Sequence, residues 1–344
     1  MKKTLLALAA LTAFAGVASA QSSVTLFGVV DLAARNTKNG SAGSIKSLTS
    51  GNNATSRLGF RGIEDIGGGM RAGFWIEGEL LPDTGNAGGQ TWQRRSTVSL
   101  LGGFGELRLG RDYTPTFWNH TVFDPFGTNG VGSQLNLMIA QGGSTVLNGG
   151  ATTTVRASNT IGYFLPTMGG LYGQAMVAAG ENVPGNKYLG GRIGYAAGPV
   201  NVAVAYGKTE ITGSNDMTAA NIGASFNLGF LTLFGQYHRY DLDVPNRELT
   251  NAMLGATVPL GAGTFKASFG KSSSNNSDFD ATQIAVGYVY DLSKRTALYT
   301  HFSRVNNDGS NLTGARFTAG GAGPTFRAGG QTSTGYEFGV RHSF

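Results

Sequence analysis

The sequence predicts an all-β fold: a transmembrane antiparallel β-barrel of about sixteen strands. Three observations predict it. Apolar and polar residues alternate with period two in successive segments of roughly ten residues. The connections between those segments are short and long in turn. An export signal opens the chain, and after it no apolar run approaches the ~18 residues that a membrane-spanning helix needs.

The elements follow in order. Residues 1–20, MKKTLLALAALTAFAGVASA, place Lys2 and Lys3 before an apolar stretch from Leu5 to Val17 and finish on Ala18-Ser19-Ala20. That is the pattern of a cleaved secretory signal peptide. The mature chain is then expected to be a single barrel domain, 21–344, of 344 − 20 = 324 residues. Its formal charge is 24 − 20 = +4 once the two signal lysines are gone. No segment joins dense Lys/Arg to a nucleic-acid-binding pattern, so nucleic acid is not an expected partner. The chain has no cysteine, which removes disulfides, a lipidated cysteine, thiolate chemistry and Cys metal sites together.

The first strand is expected at 23–35, SVTLFGVVDLAAR, with Val24, Leu26, Val30 and Leu32 on one face and Asp31 and Arg35 on the other. At 56–63, SRLGFRGI, Leu58 and Phe60 oppose Arg57 and Arg61. At 70–79, MRAGFWIEGE, Met70, Phe74 and Ile76 oppose Arg71, Trp75, Glu77 and Glu79. Short turns are expected at 64–70, 100–105, 165–170, 196–199, 227–230, 259–263 and 291–295. Longer polar connections are expected at 36–55, 81–91, 111–154, 180–187, 210–217, 241–247, 272–279 and 306–331. An even strand count puts both chain ends on the short-turn, periplasmic side.

A soluble β-sandwich is the competing fold. It would have fewer strands and shorter loops, and would bury its apolar faces. A barrel this wide cannot fill its interior with side chains, so its polar face must line water and its apolar face must meet lipid. A charged fraction of only 13% agrees with that. The 55 glycines, many of them inside strands, predict a sheet that bends strongly. The last segment, YEFGVRHSF, sets Tyr336, Phe338, Val340, His342 and Phe344 on one face. It is expected to close the barrel on the first strand, because an open edge in lipid leaves backbone groups unpaired. Phe344 then falls in an interfacial aromatic belt.

The charged strand faces nominate Arg57, Arg61, Arg71, Arg95 and Arg156 as lumen cations, with Glu77 and Glu79 as wall acids. Val98 and Leu100 face lipid, so parity turns Arg95 inward; Arg94 is the second choice, required if a bulge reverses the order. Four histidines, His120, His238, His301 and His342, have no ligand-type spacing, so neither a metal nor a cofactor is expected. His301, with Tyr299 and Ser303 on its face, is the nearest approach to a hydrolase site and is expected to be an ordinary lumen or belt residue.

The stretches SSVTLFGVVDL (22–32), SRLGFRGIEDIGGGMRAGFWIE (56–77), GGFGELRLGRDYTPTF (102–117), RASNTIGYFLP (156–166), YVYDLSKRTALYTHFSR (288–304) and YEFGVRHSF (336–344) together resemble Gram-negative general porins of the betaproteobacterial and neisserial type. The resemblance spans nearly the whole mature chain. It implies a sixteen-stranded homotrimeric barrel in the outer membrane, embedded in lipid and lipopolysaccharide, passing ions and small hydrophilic solutes by diffusion. It implies that the third long connection, 111–154, folds into the lumen and narrows it, bringing Asp112 and Asp124. Arg57, the Arg94–Arg95 pair and Arg156 match the family's basic constriction residues, which gives an expectation of anion preference. The C-terminal strand ending in Phe344 matches the signal read by the outer-membrane assembly machinery. Three alternatives stay open: a substrate-specific channel, a barrel enzyme and a plugged structural barrel.

Overall fold

The computed structural model describes residues 23–86, 91–138, 150–212, 215–244, 246–275, 280–308, 317–320 and 330–344. The expected signal segment, 1–20, lies outside them. Strand β1 is Ser23–Asn39, β2 Ser44–Ser50, β3 Arg57–Gly67, β4 Met70–Glu79, β5 Arg95–Gly102 and β6 Gly105–Tyr113. After a long connection come β7 Arg156–Phe164, β8 Leu171–Ala178, β9 Lys187–Ala197, β10 Val200–Thr212, β11 Asn215–Asn227 and β12 Thr232–Leu242. The last five are β13 Arg247–Leu260, β14 Gly263–Ser274, β15 Ala281–Asp291, β16 Thr296–Asn307 and β17 Thr332–Ser343.

Each strand from β3 to β17 pairs antiparallel with the next, and β17 pairs back onto β1. β2 and β3 share one wall position, since both pair along the same strand: β2 with 32–38 of β1, β3 with 23–29. The seventeen segments therefore make a closed barrel of 17 − 1 = 16 wall strands. All seven predicted short turns fall between strands. The long connections at 210–217 and 241–247 are shorter than expected, because β10 to β13 run on past the membrane-length alternation as polar hairpins. The first connection is likewise mostly strand, with β1 reaching Asn39 and β2 returning from Ser44.

The alternation sorts as predicted. Leu26, Leu189, Val204, Ile222, Leu254 and Phe338 are exposed on the outer face. Asn221, Gln236, His238, Asn251, Gln283 and Glu337 are buried on the inner one. The seam between first and last strands extends from Val29–Ser343 to Asn39–Ser333. Phe344 continues it by exchanging two backbone hydrogen bonds with Gly28, at 3.0 and 3.1 Å. Gly28 is needed there, because the Phe344 ring occupies the space of a β-carbon. Tyr336, Phe338, Val340, His342 and Phe344 all face outward.

Inside the seam the charged groups bind one another. Glu337 binds Arg35 at 2.8 Å and His301 Nδ1 at 2.9 Å, and accepts the Val131 backbone N–H at 3.3 Å. Removing one partner of a buried pair like this costs about 3–5 kcal/mol. Asp31 accepts backbone N–H groups from Asn52, Asn53 and Ala54, and the Tyr299 hydroxyl. Those donors belong to the 51–56 break between β2 and β3, so one carboxylate replaces the ladder bonds that the break gives up.

The connection after β6 carries helix α1, Pro115–Phe123, and a 3-10 turn, Gln134–Leu137. Proline at the first helical turn starts α1 without losing a hydrogen bond. The segment lies against the inner face of the wall. Asn119 donates to the Ala203 carbonyl at 3.2 Å and to Asn221 at 2.7 Å. Gln134 donates to Asn251 at 2.8 Å, and Gln283 donates to the Gly132 and Ser133 carbonyls. The sheet bends closed as expected, and the strand glycines beneath the segment also allow a close approach. A β-carbon at Gly223 would collide with the Phe123 ring, one at Gly255 with Pro125, and one at Gly270 with Gln134. These glycines open a track along the wall in which the loop lies.

The track gives a test. Gly223→Val should force Phe123 out of its seat and destabilise the barrel by about 1–3 kcal/mol. This is read as a lower midpoint in urea unfolding; an unchanged midpoint would mean that the loop is not seated there.

Candidate functional site

The densest charge on the inner wall gathers where β3, β4, β5, β6 and β7 meet the loop. Arg57 stands at the first residue of β3, just past the 51–56 break, and donates to the Thr55 carbonyl at 3.2 Å. Glu79 is directly opposite it across the β3–β4 ladder. Glu77, two residues away on the same face, lies 2.6 Å from Arg94 Nε and 3.9 Å from Arg57 Nε. Arg94 also donates to the Tyr113 hydroxyl at 3.3 Å. Arg156 reaches the same hydroxyl at 2.8 Å and lies over the ring at 4.3 Å from its centre. Three arginines from three parts of the chain thus converge on one carboxylate and one phenol.

A second group lies toward the short turns. Arg95 is 3.8 Å from Asp112 and stacks on Trp75 at 4.5 Å. Arg108 holds Glu106 at 2.8 Å and Asp112 at 2.5 Å. Arg61 lies over Trp75 at 5.2 Å. Arg192 on β9 stacks on Tyr172 at 4.7 Å and donates to Asn119 of α1 at 2.9 Å, tying helix to wall. The arrangement concentrates fixed positive charge on a water-facing surface, and guanidinium keeps that charge at any relevant pH. It offers no nucleophile with a base in reach. His120 of α1 stacks on His238 at 4.3 Å, and burial pushes it down to about 3, so it stays neutral.

The model of the Gram-negative porin family matches residues 7–310. The chain is a Gram-negative porin. It is 39% identical to outer membrane porin protein 32 of Delftia acidovorans, with the alignment covering 100% of both chains. A Bordetella pertussis outer membrane porin protein is 27% identical over 94% of this chain and 99% of its own. Among solved structures, an anion-selective porin from Comamonas acidovorans superposes with a TM-score of 0.83 at 36% identity, covering 94% of this chain and 100% of that one. The closed barrel and these relatives place the protein in the outer membrane.

Not every nominated residue joins the porin's arginine cluster. Arg71 sits six residues from Glu77 along β4, roughly 20 Å at strand spacing, beside the Gly67–Met70 turn. Asp124 turns into the loop instead of the pore. It accepts backbone N–H groups from Phe126, Thr128 and Gln134, holding the turn after α1, and burial raises its pKa. Parity turns Arg95 inward, as observed, but does not exclude Arg94: β5 begins at Arg95, so Arg94 precedes the alternation. Both side chains point inward, Arg94 to Glu77 and Arg95 to Asp112.

Sequence reasoning missed Tyr113, Arg108, Glu106 and Arg192. Glu106 and Arg108 alternate in GELRLGRDY and were legible as an inward face. Tyr113 was not, because the register shift between Gly110 and Asp112 breaks the parity that would have placed it.

Glu77 is the acid that most directly offsets Arg57 and Arg94. Glu77→Gln should strengthen anion preference at ~0.1 M salt, where the screening length is about 10 Å, and the gain should fade near 1 M, where it is about 3 Å. The zero-current potential in a salt gradient measures this; a shift toward cations would remove Glu77 from the conduction path.

Proposed function

We propose that this porin passes ions and small hydrophilic solutes by passive diffusion through a water-filled pore that the connection 114–155 narrows, with a preference for anions. One observation carries the reading: Arg57 and Arg94 share the Glu77 carboxylate, and Arg94 and Arg156 share the Tyr113 hydroxyl. A ring of basic groups favours anions where the pore is narrower than the screening length. The likeness to a structure described as an anion-selective porin supports the sign. In this reading Arg61 and Arg95 extend the positive surface toward the periplasm, and Asp112 moderates it.

The reading includes no catalysis. His301, the one histidine with a serine and an acid nearby, is bound to Glu337 and only 2% exposed. Export through a signal of residues 1–20, packing as a homotrimer in lipid and lipopolysaccharide, and delivery by the outer-membrane assembly machinery complete it. The outward row Tyr336, Phe338, Val340, His342 and Phe344 supports the last of these.

In planar bilayers under a potassium chloride gradient, the mature protein should conduct in steps with a chloride-signed zero-current potential. Replacing Arg57, Arg94 and Arg156 by glutamine together should bring that potential close to zero. A potassium-signed potential in the unaltered protein overturns the preference, and an absence of steps overturns the open pore. Deleting Phe344 should sharply lower the amount reaching the outer membrane in cells; an undiminished amount removes the residue from assembly.

A further inference from the structure

On the short-turn side of the Tyr113 cluster, one guanidinium group has no acid and a second has only a share of one. Arg61 lies four residues along β3 from Arg57, toward the Gly67–Met70 turn. Among the described residues it forms no hydrogen bond or ion pair. Arg95 gives its Nε to the Thr97 hydroxyl at 3.1 Å and stands 3.8 Å from Asp112. Asp112 is already held by Arg108 at 2.5 Å, and Arg108 takes both oxygens of Glu106, at 2.8 and 2.9 Å. Arg108 thus consumes the acids of this zone.

Both cations rest on one indole. Arg61 and Arg95 lie 5.2 and 4.5 Å from the Trp75 ring centre, and Phe27 meets the same indole edge-on at 4.9 Å. A recess of about 340 Å³ opens beside them; Arg61, Trp75, Arg95 and Ser99 are among its lining, with Glu106 and the Arg108 that neutralises it. A second recess, of about 450 Å³, shares Trp75, Arg95 and Arg108 and continues to Trp118, Phe164 and Arg192. Both volumes fall within the range of small-molecule sites.

Chloride needs the positive charge but has no use for the rings. A planar conjugated acid uses both. Its carboxylate accepts from the unfilled N–H edges of Arg61 and Arg95, and its ring lies against guanidinium and indole faces, which stack readily. We propose that this recess binds planar aromatic carboxylates and holds them in preference to saturated carboxylates of the same charge and similar size. The proposal rests on the reading of this barrel as an open, anion-preferring pore.

The test titrates the chloride current of single channels with benzoate and, separately, with cyclohexanecarboxylate. Both acids carry one charge, and only benzoate has a flat π-system. Benzoate should block saturably, at a concentration about two- to tenfold lower than its saturated counterpart, the ratio that one aromatic pair with the Trp75 indole supplies. Trp75→Leu should bring the ratio close to one, and Arg61→Gln should raise the half-blocking concentration of both acids. Equal block by the two acids in the unaltered protein overturns the proposal, as does a ratio that survives Trp75→Leu. If Trp75→Leu does not assemble, the unaltered ratio and Arg61→Gln decide: an unmoved half-block in Arg61→Gln is equally fatal. A potassium-signed potential before any acid is added refutes the anion-preferring pore itself, and so is distinguished from a failure of this site.

Discussion

A sheet in lipid has no solvent for its edges, so everything in this molecule depends on pairing its first strand with its last. The eleven-residue register between β1 and β17 satisfies the backbone, and Phe344 carries the pairing to the final residue. Backbone pairing alone would leave the inner side of the seam lined with isolated charges. Arg35, Glu337, His301, Asp31 and Tyr299 settle that by binding one another across β1, β16 and β17. The seam has two independent fastenings, a ladder toward lipid and a polar network toward water.

The loop is fastened to that seam through Val131 and Glu337. The loop touches nearly half the wall, from Ala203 on β10 to Glu337 on β17, and the cost of ordering so long a segment is met by many small engagements. Strand glycines let it approach closely, and amide side chains hold its carbonyls. The arginines on the facing wall need no such support, because their charge acts across water. Rigidity is concentrated on one side of the lumen and electrostatic reach on the other.

Much of the fold was legible because membrane strands obey a strict period. Leu58 against Arg57, Phe74 against Trp75 and Phe338 against Glu337 each sort to the side the alternation assigns. The alternation places a residue only while the strand is regular. Arg94 precedes its strand, Tyr113 follows a register shift, and Asp124 lies in a loop whose turns compete for its carboxylate. The first two shape the local chemistry of the cluster, the third holds the loop, and all three fall where period-two reasoning has no purchase. The strand glycines were legible as a bent sheet, and the closed barrel bends so. Which group lies over each was not legible, because composition records a missing β-carbon and says nothing about what fills its place.

Glu337 joins three things that form at different distances along the chain: the first strand through Arg35, the neighbouring strand through His301, and the tip of the loop through Val131. Its carboxylate reaches all three only after the last dozen residues have arrived. The strand that closes the wall is thus also the one that brings this anchor to the loop. Losing it would open the cylinder and unfasten the loop tip in a single change.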